Sequence, residues 1–462
     1  MTAGRITLGT MVRDAGRVLA LGLVIIVLGG FDGSDTAGAA DVAPALPFTA
    51  PAKHMGVSSC AGSTCHGSIT PWPGSTVRQD EFVVWLNKDP HAQAYKTLLS
   101  ERSKRIAKNL GLDNAYDAKI CLDCHADNVA PDRQADGFQM ADGVGCESCH
   151  GGAENWLGTH TSNKSNHAAN IKLGLYPTDD AMARAKLCLS CHFGDTNRTI
   201  THRIMGAGHP RLSFELDTFT ATEPPHFTVD ANYRQRKSAP DHIKLWVTGQ
   251  MMAVDALLGA MTDPNRNHDG IFPELVYFDC HACHHPMSEK RWEPRASAGI
   301  GPGVPRIADA NMIMLGTFLD QFDPSVAVEF HARVKALHQA SLKGPAATTA
   351  AAEALKSLTE GLAPRVADMK MTRPQMRSLL MAVIDKGTRG EYADYAAAEQ
   401  ATMALSAILD AMKSASALAP DQYKMLTGTL NKCYTAVEKD EAYDPRQFMA
   451  ALQDVEAVIP KT

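Results

Sequence analysis

The sequence predicts a mainly α-helical protein in two parts. Helices and long loops packed around bound prosthetic groups come first, and an α-helical bundle follows. Three observations predict this. Ten of the eleven cysteines fall in five pairs, at 60/65, 121/124, 146/149, 188/191 and 280/283, and a histidine follows each pair at once. Sixteen of the eighteen histidines lie between residues 54 and 285. Beyond about residue 300 the motif is absent, and Ala-, Leu- and Met-rich segments with a helical period replace it. The 462-residue length allows two to four domains, and a hydrophobic content of 45% excludes wholesale disorder. With 45 Lys and Arg against 51 Asp and Glu, a net of −6, the chain is no phosphate-driven nucleic-acid binder.

Residues 1–40 read as a cleaved export signal. Arg5, Arg13 and Arg17 precede an apolar run from Val18 to Phe31, and Ala37-Gly38-Ala39-Ala40 supplies the small residues of a cleavage site. That run is shorter than the roughly twenty residues a spanning helix needs, so no mature transmembrane span is expected. The mature protein is expected to be periplasmic or otherwise extracytoplasmic. Residues 41–56, Ala- and Pro-rich without periodicity, read as an extended lead-in.

Residues 57–195 hold four of the motifs. Cys121-Leu-Asp-Cys124-His125, Cys146-Glu-Ser-Cys149-His150, Cys188-Leu-Ser-Cys191-His192 and, further on, Cys280-His-Ala-Cys283-His284 are each CxxCH, the attachment signature of c-type haem. On one helical turn, positions i and i+3 share a face, so two thiols can bond one porphyrin. The following histidine then reaches the iron as proximal ligand. Composition alone would give roughly 0.01 such motifs in a chain of this kind. A zinc reading would want CxxC units acting in twos, and disulfides would not explain a histidine after every pair. Cys60-Ala-Gly-Ser-Thr-Cys65-His66 has two extra residues, and Gly62 with two small hydroxyl residues lets the loop bulge between the thiols. The expectation is five covalently bound c-type haems, with His66, His125, His150, His192 and His284 proximal. The short interval between His125 and His150 suggests that these two haems stack.

Two stretches resemble the cytochrome c-554 family, small multihaem carriers associated with hydroxylamine oxidoreductase. Trp85-Leu-Asn-Lys-Asp-Pro-His91-Ala is similar to the family's Trp followed by His-Ala, and Gly143-Val-Gly-Cys146-Glu-Ser-Cys149-His150-Gly151 with Gly158-Thr159-His160 is similar to its third haem site. The resemblance covers about residues 57–195 and implies that His91 and His160 are distal ligands. It also implies a five-coordinate second haem, held here by Cys121, Cys124 and His125. The CxxxxCH motif and the fifth haem depart from the family, so its partner does not transfer.

Two further distal candidates come from the residues themselves. His209 lies in Gly206-Ala-Gly-His209-Pro210, a loop that lets backbone approach a macrocycle. His242 follows Pro240-Asp241 at the start of a long helix whose apolar stripe is Ile243, Val247 and Met251; Trp246 shares its face and could stack on the same haem. His54, His167, His202 and His285 are reserves, while His226, His268 and His281 read as solvent-exposed. Residues 196–300 form a fifth-haem region, with a strand or extended loop possible over 214–233. Ala296–Pro305 reads as a boundary.

Residues 301–462 read as the bundle, free of haem motifs. Asp323-Pro324 starts a helix with Val326, Phe330, Val334 and Leu337 as its apolar stripe, and further helices are expected over about 346–363, 373–386, 391–417, 421–438 and 445–458. His331 and His338 share a face and read as surface residues; Cys433 reads as a small core residue. The whole points to an electron-transfer protein rather than an enzyme, passing electrons between redox partner proteins of unknown identity. Haem propionates make the loaded protein still more acidic, which suits a positively charged partner. The alternative is a reductase or oxidase of a small nitrogen or sulfur species at a five-coordinate haem. CxxCK, a common sign of nitrite reduction, does not occur.

Overall fold

The computed structural model describes residues 44–162, 165–285, 295–301 and 303–460, so residues 1–40, expected to be an export signal, lie outside the described residues. These are mainly α-helical and fall within one compact unit, 44–462. Among the described residues no strand forms; two isolated bridges, His54 with Gln134 and Phe278 with Ile307, are the only β pairing. None of their helices is long and apolar enough to cross a membrane.

The C-terminal helices start and stop where side chains satisfy backbone ends. Asp323 accepts from Val326 N at 3.3 Å and Pro324 takes the first helical position of Pro324–Ser341. Pro345–Glu360, Arg373–Thr388, Tyr395–Ser414, Pro420–Ala436 and Pro445–Ala457 follow. They bury Phe330, Leu379, Leu405, Leu426, Cys433 and Phe448 in a single apolar core.

That core extends upstream of residue 301. The His242–Thr262 helix, capped by Asp241 onto Lys244 N at 2.9 Å, buries Ile243, Trp246, Val247, Val254 and Leu258 in it. Trp246 is 0% exposed and meets Phe318 edge-on at 6.4 Å, so it is a core residue and stacks on no haem. The 214–233 stretch holds two short helices, Leu216–Thr222 and Ala231–Arg236, instead of a strand. Glu215 and Asp230 cap them, bonding the first free N–H groups that the Thr and Pro content obscures.

Upstream of residue 200 the apolar clusters are small. One gathers Leu98, Ala107, Ala115, Leu122 and Ala126; another Leu46, Tyr176 and Ala183. A third joins Ala185 and Leu189 to Phe214, Leu216, Leu245 and Ala253. Such clusters remove little apolar area from water, and the burial that holds this part together has to come from elsewhere.

A buried charge cluster pins the start of the bundle. Arg295, 3% exposed, bonds Asp309 and lies 3.5 Å from Asp394. His338 shares Asp309 at 2.9 Å and receives the Ile307 N–H at 3.4 Å, so it is an interior residue and no surface histidine. His331 is partly exposed and bonds Asp320 at 2.8 Å. Burial alone would raise the Asp309 carboxyl, but Arg295 and His338 hold it far below the usual carboxylate range. Arg295→Met, which strands these carboxylates, is expected to cost about 3–5 kcal/mol. A chemical denaturation midpoint unchanged from the parent would refute this.

Candidate haem sites

Each motif occupies a turn that aims its thiols and histidine to one side. Lys119–His125 and Cys146–His150 are short helices that end on the histidine. The fourth motif closes the Ala181–His192 helix, whose Asp180 cap accepts from Ala183 N at 2.8 Å. The fifth opens on a 3-10 turn, Cys280–Ala282, with His284 N donating to Cys280 O at 2.8 Å. In the first motif the loop folds on itself, Cys65 N to Gly62 O at 2.8 Å and His66 N to Cys60 O at 3.1 Å. Gly67 closes it: a Cβ there would sit 2.0 Å from Ala61 O, so this glycine, rather than Gly62, permits the longer motif.

Opposite every proximal histidine stands a second imidazole. Ring centroids are 6.2 Å apart for His66 and His160, 6.0 Å for His91 and His192, and 6.4 Å for His125 and His209. They are 6.4 Å apart for His150 and His226, and 6.0 Å for His202 and His284. A metal–imidazole bond of about 2 Å on either side of one iron puts trans ring centres roughly 6 Å apart. Directly bonded imidazoles would lie closer, and unrelated ones would scatter.

The outer nitrogens agree. Nδ1 of His125, His160, His209 and His226 faces the carbonyl oxygens of Ala94 (3.2 Å), Leu157 (2.6 Å), Pro210 (2.8 Å) and Pro224 (3.4 Å). A carbonyl only accepts, so Nδ1 carries the proton and Nε2 keeps its lone pair for a metal. His66 and His91 donate the same atom to Glu81 and Asp89, both at 2.9 Å. Burial pushes His150 down to about 3, with His226 adding to the effect, and His192 down to about 4, aided by His91. Neutral imidazole is the form that ligates.

The structure therefore brings His91, His160 and His209 to proximal histidines, and it does not bring His242. His242 Nδ1 bonds Asp217 at 3.0 and 3.1 Å, and each of the five motif histidines already faces a different ring. His226 and His202 take the remaining two places. His226 projects from a loop stiffened by Pro224 and Pro225, between the two short helices. His202 opens the helix His202–Gly206, capped by Thr201, with its N–H on Glu274 at 2.7 Å. Two prolines ahead of a loop histidine were the available sign, because they hold an otherwise floppy segment in one shape.

The other histidines are committed elsewhere. His54 is fully buried with Nδ1 on Asp127 at 2.7 Å and Nε2 on Pro47 O at 3.3 Å. His167 Nε2 bonds Asp179 at 2.9 Å. His281 is buried against Asp440 at 2.7 Å instead of facing solvent, His268 is exposed beside Asn267, and His285 is half-buried.

Thiols of different motifs meet. Cys60 lies near enough to Cys146, and Cys124 to Cys191, for each pair to perturb the other's ionisation. These contacts join the first motif to the third and the second to the fourth. A cavity of about 170 Å³ separates fourth from fifth, lined by His192 and Phe214 on one side, Cys280 and His281 on the other, and Tyr395 and Gln400 from the C-terminal helices. Phe214 stacks on the His192 ring at 4.9 Å. Among the described residues no three His, Cys, Asp or Glu side chains converge as a bare metal ion would need.

Thiol pairs close in sequence, each with a histidine facing another ring about 6 Å away, form a donor set that fits c-type haem. Residues 59–151, which hold the first three motifs and His91, match the family described as cytochrome c554 and c-prime. The chain is 32% identical over 117 residues to cytochrome c-554 of Nitrosomonas europaea, which is 22% of this chain and 48% of that protein. It thus spans about half the length of that curated relative. No solved structure matches.

Proposed function

We propose that this chain is an exported, extracytoplasmic pentahaem cytochrome that carries electrons between redox partner proteins. The observation that supports it best is the set of five facing imidazole pairs, one for each attachment motif. Each haem, when bound, supplies a one-electron Fe(III)/Fe(II) couple. The chain's own part is to hold both axial positions, so that little rearranges on reduction. It would fix the ring planes of His66, His91, His125, His160, His209 and His226 through their Nδ1 bonds. The Cys60–Cys146 and Cys124–Cys191 contacts and the shared cavity favour transfer from first to third and from the fourth site to both second and fifth.

A reductase or oxidase needs a vacant axial position, and His209 opposite His125 supports the carrier reading at the one site where the family resemblance suggested a vacancy. Purified holoprotein is expected to give five low-spin ferric haems that cyanide leaves unchanged within minutes. A resting high-spin fraction of one haem in five would overturn the carrier reading in favour of the enzyme.

A further inference from the structure

The second site differs in what braces the segment that carries its far imidazole, whose Nδ1 itself faces Pro210 O at 2.8 Å. His91 and His160 are fixed by bonds to neighbours two and three residues away, Asp89 and Leu157. His209 follows Gly208, whose φ of +117° is a region open chiefly to glycine, just past the end of the His202–Gly206 helix. Local backbone bonds, Gly208 N to Met205 O at 2.8 Å and His209 N to Ile204 O at 3.3 Å, turn this loop off the end of that helix.

Side chains remote in sequence then brace it. Arg102 donates Nη2 and Nε to Gly208 O at 2.8 and 3.2 Å. Asn109, from the same Glu101–Leu110 helix, donates to Ala207 O at 3.0 Å. On the other flank Arg211 bonds Glu399 at 3.0 Å, lies 3.4 Å from Asp440, and packs its guanidinium 5.1 Å from the centre of the Tyr395 ring. Glu399 is on the Tyr395–Ser414 helix of the C-terminal core. A single residue, Pro210, separates His209 from Arg211 and leaves little slack for absorbing a movement.

Resting on the haem reading above, we propose that His209 is a gated ligand. Arg102 and Asn109 on one side, and the Arg211 latch to Glu399 and Asp440 on the other, hold its imidazole at the second iron. Release of either side frees that position for a small neutral ligand. Arg102, Asn109 and Arg211 are positioning residues, and the C-terminal helices set the coordination state of a haem to which they contribute no ligand. The displacement moves no electrons: one Fe–N bond is exchanged for one bond to the entering ligand.

Carbon monoxide uptake by the fully reduced holoprotein tests this. The parent should bind it slowly, limited by opening of the loop. Arg102→Ala and Arg211→Ala should each raise the uptake rate by roughly tenfold, as expected for loss of a charge-assisted hydrogen bond, and at one haem in five. Arg102→Lys should recover most of the parent rate, and Arg105→Ala, an exposed arginine of the same helix, should leave it unchanged. His209→Ala should open the site outright and give one high-spin haem. If His209→Ala binds carbon monoxide at one haem while Arg102→Ala and Arg211→Ala match the parent, the gate is wrong and the ligand assignment stands. If His209→Ala stays wholly low-spin and inert, His209 is no ligand, and the assignment falls together with the gate.

Discussion

Denied its porphyrins, by changing all ten motif cysteines to serine, the chain should lose defined structure upstream of about residue 240 and keep its C-terminal helices. Ordering a residue costs about 1–2 kcal/mol in backbone entropy. Full burial of a leucine or phenylalanine returns about 1.5–3 kcal/mol. Before residue 200 the apolar clusters are short lists rich in alanine: Leu98, Ala107, Ala115, Leu122 and Ala126 in one, Leu46, Tyr176 and Ala183 in another. More than a hundred residues cannot be ordered by these. Porphyrin faces held between imidazole pairs would supply the missing apolar surface. The C-terminal core is different, with Phe318, Phe330, Leu337, Leu379, Ile408 and Phe448 all at 1% exposure or less. Limited proteolysis of the haem-free chain should leave a resistant fragment that starts near the His242–Thr262 helix, and circular dichroism should retain its helix signal. Protection of residues 57–200 in the colourless chain would mean that the polypeptide packs without haem.

What could be read from the sequence follows from how local each constraint is. Thioether attachment fixes two thiols and a histidine within one turn, so all five motifs are visible as spacing. The helix starts at Asp323-Pro324 and Asp241 are equally local, because a cap is a contact between near neighbours. Distal ligation is a tertiary fact. The ring opposite His150 comes from residue 226 and the ring opposite His284 from residue 202, and no spacing rule joins them. Thiol proximity follows the fold for the same reason, and it joins Cys124 to Cys191 across 67 positions of sequence. His242 looked apt because it begins a helix beside an aromatic residue. That helix is buried around most of its circumference, and its all-round apolar character was the legible sign that it belongs to a core.

The two misassigned histidines give the second large effect. His226→Ala should convert one haem in five to a high-spin form that binds cyanide, because it removes the ring 6.4 Å from His150 and nothing else within the pair can replace it. His242→Ala should leave all five haems low-spin. Its cost is confined to stability: it takes the imidazolium from the buried Asp217 carboxylate, whose pKa burial already raises. The sign follows from that pair. Asp217 raises the His242 pKa above its ordinary value, so the stabilisation is complete below about pH 6 and fades as pH climbs through the raised value. The parent and His242→Ala proteins should therefore differ most in thermal midpoint in mild acid and converge in alkali. His226→Met should restore a six-coordinate haem with a higher reduction potential than the parent site, since a thioether favours ferrous iron. High-spin signal in His242→Ala together with none in His226→Ala would reverse the two roles and return the distal position to residue 242.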